Sequence, residues 1–414
     1  MKQNTAKTLC VIGGGASGLA CAIEAARCGF AVTILEHTDR IGKKILMTGN
    51  GKCNFTNRLM NEEQYYTDEI PFLRKVLAQF GTDELLAFFD SLHLCYKEKN
   101  GYFYPVSNQA ASVLDVLRFE LLKRDVQIVT STVVTDILEK GDYTEVYTKN
   151  QTYVFDVVVL ACGGKAYAVT GSDGSGYELC KKLGLKQNPP SEALVALKSS
   201  ETYFKAVAGV RTDAEVSVWV DGQCMGTEMG ELQITDYGIS GIPVFQLSRI
   251  VSVTLLHNAN ASVYAQVDLF PALSKQALLQ HMQERIRENA MLQIQDALSG
   301  FLNKKLNTLM LKHAHVSPAM QAGDIKVQSI HQMVQFCKKW HIPITGTNDF
   351  SKCQVCAGGV LLSELTQGFA CKKHPNVYVI GELTDVDGKC GGYNLHYAFA
   401  SGILAARDAA RRHI

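Results

Sequence analysis

A glycine-rich turn near the N-terminus carries the residues best suited to chemistry. Gly13, Gly15 and Gly18 follow a short apolar strand that ends at Ile12, and a helical pattern over residues 19–28 comes next. In such a strand-turn-helix unit the first glycine permits the tight turn, the second lets the backbone approach a pyrophosphate, and the third lets helix and strand pack closely. The helix N-terminus then attracts the phosphate charge.

A carboxylate at the right distance completes this unit. Residues 31–36 have the pattern of a second strand that ends in Glu36, which supplies the carboxylate needed for a ribose hydroxyl. A glycine pattern alone is a weak signal, but strand, turn, helix and acidic residue together predict a Rossmann domain that binds a dinucleotide.

A second strand-to-helix junction lies near the C-terminus. The apolar residues 376–380 precede Gly381 and Glu382, and a glycine-rich segment leads to a helix that begins near Tyr393. Two helix N-termini suit a long flavin dinucleotide, one for the pyrophosphate and one near the isoalloxazine ring, so we predict FAD. Tyr393 and His396 are candidate catalytic proton donors; alternatively, His396 packs or caps and Tyr393 only stacks.

The strand predicted over residues 153–160 also ends in small residues, among them Gly163. Small residues let the backbone come close to a ligand at the carboxyl edge of a sheet. The glycines of residues 171–176 fit either a cofactor contact or a flexible turn before a helix.

Two cysteine features bear on redox chemistry. Cys53 follows Glu36 where disulfide reductases place a cysteine pair, but Arg58 occupies the position five residues on, so a dithiol reductase is not expected. Cys53 is either close to the flavin or a packed, inert thiol. Cys353 and Cys356 form an isolated C-x-x-C with no second pair or histidine at zinc-finger spacing, so we predict no metal site.

Composition narrows the function classes. The chain has 414 residues, enough for two or three domains, and 41 basic against 40 acidic residues give a net charge of +1, which favours neither nucleic acid nor an anionic membrane. No apolar run is long enough to span a bilayer, and residues 1–7 are polar, unlike a signal peptide. Thirteen cysteines without a regular framework indicate reduced thiols, so we expect a cytoplasmic protein of undetermined oligomeric state.

The pattern of elements predicts an α/β fold. Residues 8–188 alternate strands with helices, and the character changes at Pro189 and Pro190. We therefore predict an FAD-binding domain in two parts, separated by an inserted substrate or cover domain. The predicted boundaries are 1–190 and 346–414 for the FAD-binding domain and 191–345 for the insertion, which divides into β-rich residues 191–270, helical residues 271–316 and mixed residues 317–345.

Several motifs together resemble the BaiN/RdsA-type flavoproteins, almost from end to end. They are the turn at residues 13–18, GKKILMTGNGKCNFTN at residues 42–57, GELQITDYGISG at residues 230–241, AGGV at residues 357–360, and residues 385–395. The resemblance implies a glutathione-reductase-like FAD domain split by an insertion with a β-barrel-like part and a helical part. One departure is the segment Gln354 to Cys356, where relatives more often carry a threonine.

The resemblance also implies which residues hold the cofactor. Ala16, Ser17 and Glu36 would contact the pyrophosphate and adenosine half, and Val134 would offer its backbone to adenine. Gly381, Glu382, Asn394 and Leu395 would approach the ribityl and ring portion. The full set of candidates for cofactor binding is Gly13, Gly15, Ala16, Ser17, Gly18, Glu36, Lys44, Cys53, Val134, Gly163, Gly381, Glu382, Asp387, Gly392, Asn394 and Leu395.

The resemblance implies one of two reactions, the reduction of conjugated bile-acid ketones or the oxidation of small amines such as aminoacetone. No second strand-linked G-x-G-x-x-G is visible, so NADH or NADPH would have to visit the flavin directly. Our leading hypothesis is an NAD(P)H-dependent reductase of a C=C bond conjugated to a ketone, in a small 3-oxo bile-acid or steroid-like substrate. The alternatives are an amine oxidase that passes electrons to oxygen, and a non-catalytic flavin redox sensor.

Overall fold

The structure is a computed structural model that describes residues 6–414; the residues Met1 to Thr5 of the polar N-terminal segment lie outside the described residues. The chain divides into two compact units. Unit 1 runs up to Ser191 and resumes over Phe350–Ile414, and unit 2 is Glu192–Asp349. Over residues 6–414, no helix combines the length and the apolar character needed to cross a bilayer.

Unit 1 is built on a five-stranded parallel sheet, which confirms the predicted α/β Rossmann fold. Its strands are β1 (Thr8–Ile12), β2 (Ala31–Leu35), β3 (Gln127–Val129), β4 (Val157–Leu160) and β5 (Val377–Val379), in the spatial order β5-β4-β1-β2-β3. The central strands are almost continuously buried, as expected when helices cover both faces of a parallel sheet. The carboxyl ends of β1, β4 and β5 therefore meet at one edge.

Two helices of this unit pack against each other through small residues. They are α1 (Ala16–Arg27) and the C-terminal helix α2 (Tyr393–His413). A Cβ placed on Gly402 would lie 2.3 Å from the carbonyl oxygen of Ser17, so only glycine allows this approach.

Smaller elements surround the parallel sheet. One antiparallel sheet contains Val134–Lys140, Tyr143–Thr148 and Thr152–Phe155. A second contains Thr56–Asn57, Tyr102–Pro105 and Tyr96–Lys99. A third pairs Tyr65–Tyr66 with Asp387–Gly388. A further two-stranded sheet joins Gln187–Ala193 and Val355–Val360. The remaining helices are Lys43–Met47, Ile70–Gln79, Thr82–Ser91, Ala110–Lys123 and Ser175–Lys182.

The predicted strand over residues 153–160 is wrong in one respect, because it is two strands in different sheets. The break lies at Asp156, whose carboxylate accepts hydrogen bonds from the backbone N–H and the hydroxyl of Thr8, both at 2.8 Å. This anchor starts β4 beside β1, while Thr152–Phe155 turns away into an antiparallel sheet. The extended segment predicted over residues 127–137 is divided in the same way.

Unit 2 contains a seven-stranded antiparallel sheet that curls back on itself. In spatial order its strands are Trp340–Pro343, Val263–Asp268, Arg211–Val220, Gln223–Ile234, Gly238–Gly241, Leu197–Lys198 and Gly346–Thr347. The two outermost strands are joined by only Ile344 and Thr345. The N–H of Ile344 donates to Val263 O and that of Thr345 to Lys198 O, both at 2.9 Å, so this linker bonds to the two strands that lie next to the outermost ones.

The helices of unit 2 include one that the sequence did not predict. Ile242–His257 lies in the segment expected to be β-rich, begins with a proline in its first turn, and packs Leu247 and Ile250 over Gly226 of a neighbouring strand. Its β-branched, apolar sequence hides the helical period. The other helices are Phe204–Val207, Lys275–Glu288, Ile294–Ala297, Lys304–His313 and Val327–Lys338.

Candidate active site

In the turn between β1 and α1, a Cβ would clash at two of the glycines but would find free space at the third. Gly13 has a φ of +109°, and a Cβ there would lie 2.4 Å from the carbonyl oxygen of Ala161. A Cβ on Gly18 would lie 2.0 Å from the carbonyl oxygen of Gly13. Around Gly15, no heavy atom of residues 6–414 would come within 4 Å of a Cβ. This open space beside the backbone is where a ligand can approach.

Helix α1 begins beside this space. Gly15 is its N-cap residue, and among residues 6–414 no side chain caps the helix. Because the first N–H groups of an α-helix have no partner within the helix, they bind anions. Ala16 and Ser17 thus stand where a pyrophosphate would be held.

Glu36 is fixed at the end of β2 by backbone contacts. Its Oε2 accepts from the N–H of Gly14 at 2.8 Å, and its Oε1 accepts from the N–H of Thr38 at 2.7 Å. Each carboxylate oxygen keeps a second lone pair for another donor, such as a ribose hydroxyl.

The chain that precedes Val134 runs alongside Glu36. The N–H of Thr132 donates to the carbonyl oxygen of Glu36 at 2.9 Å, and that of Ser131 to the carbonyl oxygen of Thr38 at 2.8 Å. The proposed adenine contact at Val134 stays a prediction, but these bonds bring its neighbours next to the acidic residue.

The second junction meets the first at Gly381. This residue has a φ of +67°, and a Cβ on it would lie 2.6 Å from Ser17 Oγ. Its N–H donates to Ser401 Oγ of α2 at 3.0 Å. Gly381 therefore lies against the start of α1 and is held there by α2.

Glu382 connects three distant parts of unit 1. Its Oε2 accepts from Lys44 Nζ at 2.7 Å, and its Oε1 accepts from the N–H of Cys356 at 2.9 Å. A Cβ on Gly164, beyond Gly163 at the end of β4, would lie 3.1 Å from the same carboxyl group. Lys44, a predicted cofactor contact, is thus first of all the ion-pair partner of Glu382.

At the start of α2, the predicted cofactor residues make contacts within the protein itself. The side-chain Oδ1 of Asn394 accepts from the N–H of Gly388 at 2.8 Å, and its Nδ2 donates to the carbonyl oxygen of Gly388 at 2.7 Å. A Cβ on Gly392 would lie 2.7 Å from the carbonyl oxygen of Thr56. Asp387 is almost fully buried and pairs as a strand with Tyr66. Leu395 is half-buried.

Asn54 lies at this junction and was not among the predicted cofactor residues. Its Oδ1 is buried, and no donor within residues 6–414 hydrogen-bonds to it. The same atom would be 2.9 Å from a Cβ on Gly392. A buried acceptor without a partner costs about 1–3 kcal/mol, so a donor from a bound group fits here. The position of Asn54 in the glycine-rich segment was the one sequence feature that could have identified it as a cofactor residue.

The structure contradicts a proton-donor role for His396. The side chain is completely buried, its Nε2 lies 3.1 Å from the carbonyl oxygen of Phe80, and its Nδ1 lies 2.8 Å from Thr56 Oγ1. Because a carbonyl only accepts, Nε2 carries the proton and Nδ1 accepts from Thr56. Burial lowers the pKa of His396 to about 4, so the ring is neutral and has no proton to spare at neutral pH.

Tyr393, in contrast, lines a cavity of about 350 Å³ with Asn57, Arg58, Leu59, Asn100, Gly101 and Tyr102. Burial raises the pKa of its phenol to about 12, so the hydroxyl keeps its proton at neutral pH. Its carbonyl oxygen accepts from the Tyr65 hydroxyl at 3.0 Å, which fixes the helix start. The role of Tyr393 as a proton donor stays a prediction.

Cys53 is a packed thiol. It has no exposed surface, and burial raises its pKa to about 12. A neutral, inaccessible thiol does not relay electrons as a thiolate does, so the structure contradicts a side-chain contact between Cys53 and the flavin.

These features fit a dinucleotide held at the carboxyl edge of the parallel sheet: an open glycine turn, an uncapped helix, a fixed carboxylate and an orphan acceptor. The chain also matches a known family, described as "HI0933-like protein Rossmann domain", over residues 7–408. It belongs to the HI0933-like family. Nearly the whole chain is covered by the match, so the family spans both units.

Curated relatives of the HI0933-like chain are enzymes. It is 42% identical over 405 residues to the 3-dehydro-bile acid delta(4,6)-reductase of Clostridium scindens, covering 97% of this chain and 98% of the relative. It is 27% identical over 412 residues to the ribosomal RNA dihydrouridine synthase of Haemophilus influenzae, covering 97% and 98%. With the dinucleotide site described above, this member of the family is an FAD-dependent oxidoreductase.

Proposed function

We propose that this enzyme uses NADH or NADPH to reduce a C=C bond conjugated to a ketone in a small 3-oxo bile-acid or steroid-like molecule. The observation that carries the proposal is the 42% identity to a reductase of 3-dehydro-bile acids, along almost the full length of both chains. With a net charge of +1, the chain has no overall field that would attract nucleic acid, which favours a small-molecule substrate.

The residues of unit 1 divide into binding and catalytic groups. Ala16 and Ser17 would hold the pyrophosphate at the α1 N-terminus, and Glu36 would bind the ribose. Bound FAD, once reduced, supplies a hydride to an activated double bond. The chain itself must orient the substrate ketone and deliver one proton to the carbon that becomes carbanionic.

Tyr393 is our candidate for the donor of that proton. Its phenol is protonated at neutral pH, and the residue lines a cavity large enough to admit part of a ligand. The neighbouring Tyr102 lines the same cavity and is more exposed, which makes it a matched control.

The first test is anaerobic mixing of the FAD-loaded protein with NADH or NADPH, following the visible flavin absorption. Rapid bleaching followed by reoxidation with a 3-oxo-Δ4 bile acid supports the proposal and identifies the donor. If neither nicotinamide bleaches the flavin but aminoacetone does so and releases peroxide in air, the enzyme is an amine oxidase instead. Tight FAD without any turnover would support a redox sensor.

A further inference from the structure

The C-x-x-C motif of Cys353 and Cys356 has no part in the proposed reaction. Both residues are about 1% exposed and are free thiols. Their two side chains are in hydrogen-bonding contact with each other, and Cys353 Sγ also lies 3.6 Å from the carbonyl oxygen of Phe350. Two thiols in contact are the reduced form of a potential intrachain disulfide.

One member of the pair is tied to the dinucleotide edge of the sheet. Cys356 Sγ accepts from the N–H of Lys165 at 3.1 Å, just beyond the end of β4. The N–H of Cys356 donates to Glu382, which in turn binds Lys44 at 2.7 Å. Because the same residue bonds to Glu382 through its N–H, a displacement of the Cys356 sulfur also displaces a hydrogen-bond donor of Glu382.

We propose that Cys353 and Cys356 form a reversible dithiol–disulfide site that adjusts the neighbouring FAD site to the thiol redox state. The oxidant is a low-molecular-weight disulfide such as oxidised glutathione. One cysteine thiolate attacks it and expels a small thiolate, forming a mixed disulfide. The second cysteine attacks the protein sulfur of that bond, closes the Cys353–Cys356 bond and expels the second small thiolate. The two electrons and two protons lost by the pair leave in two small thiols.

The surroundings of the pair make this exchange slow. The hydrogen bond that the Cys356 thiol donates to Cys353, burial, and the Glu382 carboxylate raise the pKa of Cys356. Because the thiolate is the attacking species, and because both sulfurs must first become accessible, we expect oxidation over minutes to hours. The site thus responds to a sustained change and not to single turnovers.

Closing the disulfide would change the local hydrogen bonds. The sulfur of Cys356 would move toward Cys353 and away from the N–H of Lys165, and the N–H of Cys356 would lose its bond to the Glu382 carboxylate. The loss of this hydrogen bond to a charged group corresponds to about tenfold in affinity, so we expect FAD to bind about tenfold more weakly to the oxidised protein.

The test incubates FAD-loaded protein in glutathione buffers from fully reduced to fully oxidised, then alkylates free thiols and analyses tryptic peptides by mass spectrometry. Cys371 shares the tryptic peptide of residues 353–372, so the variant Cys371→Ser is the background; it also removes a buried thiol outside the motif. We expect the peptide to change reversibly from a form with two alkylated thiols to an unalkylated form that is lighter by two hydrogens than the free dithiol peptide. Adding Cys353→Ser or Cys356→Ser should abolish that form and the change in FAD affinity.

Two outcomes overturn the proposal. In one, native protein that is incubated at any buffer ratio and then unfolded with the alkylating agent still has both thiols alkylated, while protein unfolded in urea before the incubation forms the disulfide. In the other, the disulfide forms but FAD affinity is the same in both states. Reduction of conjugated ketones is measured separately, so either result leaves the proposed function standing.

Discussion

The two strand-to-helix junctions of unit 1 differ in how far their contacts reach along the chain. After β1, Glu36 binds the backbone of Gly14 and Thr38, a separation of at most 22 residues. After β5, the contacts of Glu382 with Lys44 and of His396 with Thr56 span 338 and 340 residues. The first junction is assembled from neighbours, and the second from parts that only the fold brings together. The role of a local motif can therefore be recognised in the sequence, whereas the role of residues joined by long-range contacts cannot.

The strongest test of the first junction compares two of its glycines. Gly13→Ala should destabilise the protein by about 3 kcal/mol or more, because of its positive φ and the overlap with Ala161. Gly15→Ala should cost about 1 kcal/mol or less in stability but weaken FAD binding at least about tenfold, because its Cβ enters the open space. Urea unfolding of the apoprotein and FAD titration measure the two effects. Unchanged FAD affinity in Gly15→Ala would mean that the pyrophosphate is held elsewhere.

At the second junction, burial of His396 should make the free energy of unfolding decrease at acid pH. Its pKa is about 4 in the folded protein against an ordinary 6.5, so the unfolded chain takes up the proton first as the pH falls. Stability is then complete above about pH 6.5 and decreases toward pH 4 by about 3 kcal/mol. His396→Gln should flatten this dependence, whereas His331→Gln, an exposed control, should not. Unfolding curves at several pH values decide the matter.

The same His396→Gln variant also tests our reassignment of this residue. If it folds at pH 7.5 and reduces substrate at a rate close to that of the wild type, His396 is structural. A loss of turnover comparable to that of Tyr393→Phe would restore it as a proton donor.

Tyr393→Phe should lower turnover about a hundredfold with little change in FAD affinity, because a general acid typically contributes 10²–10⁴-fold. Tyr102→Phe removes a hydroxyl from the same cavity and should change turnover less than about threefold. Stopped-flow absorption separates flavin reduction, which should be unaffected, from the later proton-dependent step. Equal effects of the two variants would refute the assignment.

The smallest expected effect concerns the ion pair that links the two halves of the unit 1 chain. Lys44 and Glu382 are partly buried, with side-chain exposures of 25% and 18%. We expect a coupling free energy of about 1 kcal/mol or less. A double-mutant cycle with Lys44→Gln and Glu382→Gln, measured by urea unfolding, gives this value. A coupling of zero would show that the pair only positions Glu382.

Secondary structure was predictable wherever the hydrophobic period was clear. The strands at β1 and β2 and the helix α1 follow their patterns closely. The helix Ile242–His257 was missed because β-branched residues mask its period, and its proline at the start was not recognised as a first-turn signal. The division at Asp156 was missed because it depends on a contact with Thr8, far away in the chain.

Candidate residues at the second junction were harder to interpret. A histidine beside a helix start has the same appearance in sequence whether it faces a ligand or the core. Only the positions of Thr56 and Phe80 show that both ring nitrogens are used internally. The unpaired oxygen of Asn54 and the contact between Cys356 and Glu382 likewise cannot be recognised in the sequence.

The fold class, the family and the glycine turn with Glu36 were predictable from the sequence alone, because they depend on backbone conformation and on residues close together in the chain. Tertiary structure decided which polar groups of the second junction remain available, since hydrogen-bonding capacity is finite and distant partners consume it. It also placed Cys356 against Glu382, because a separate two-stranded sheet packs the strand Val355–Val360 beside the end of β5, which no local sequence pattern specifies.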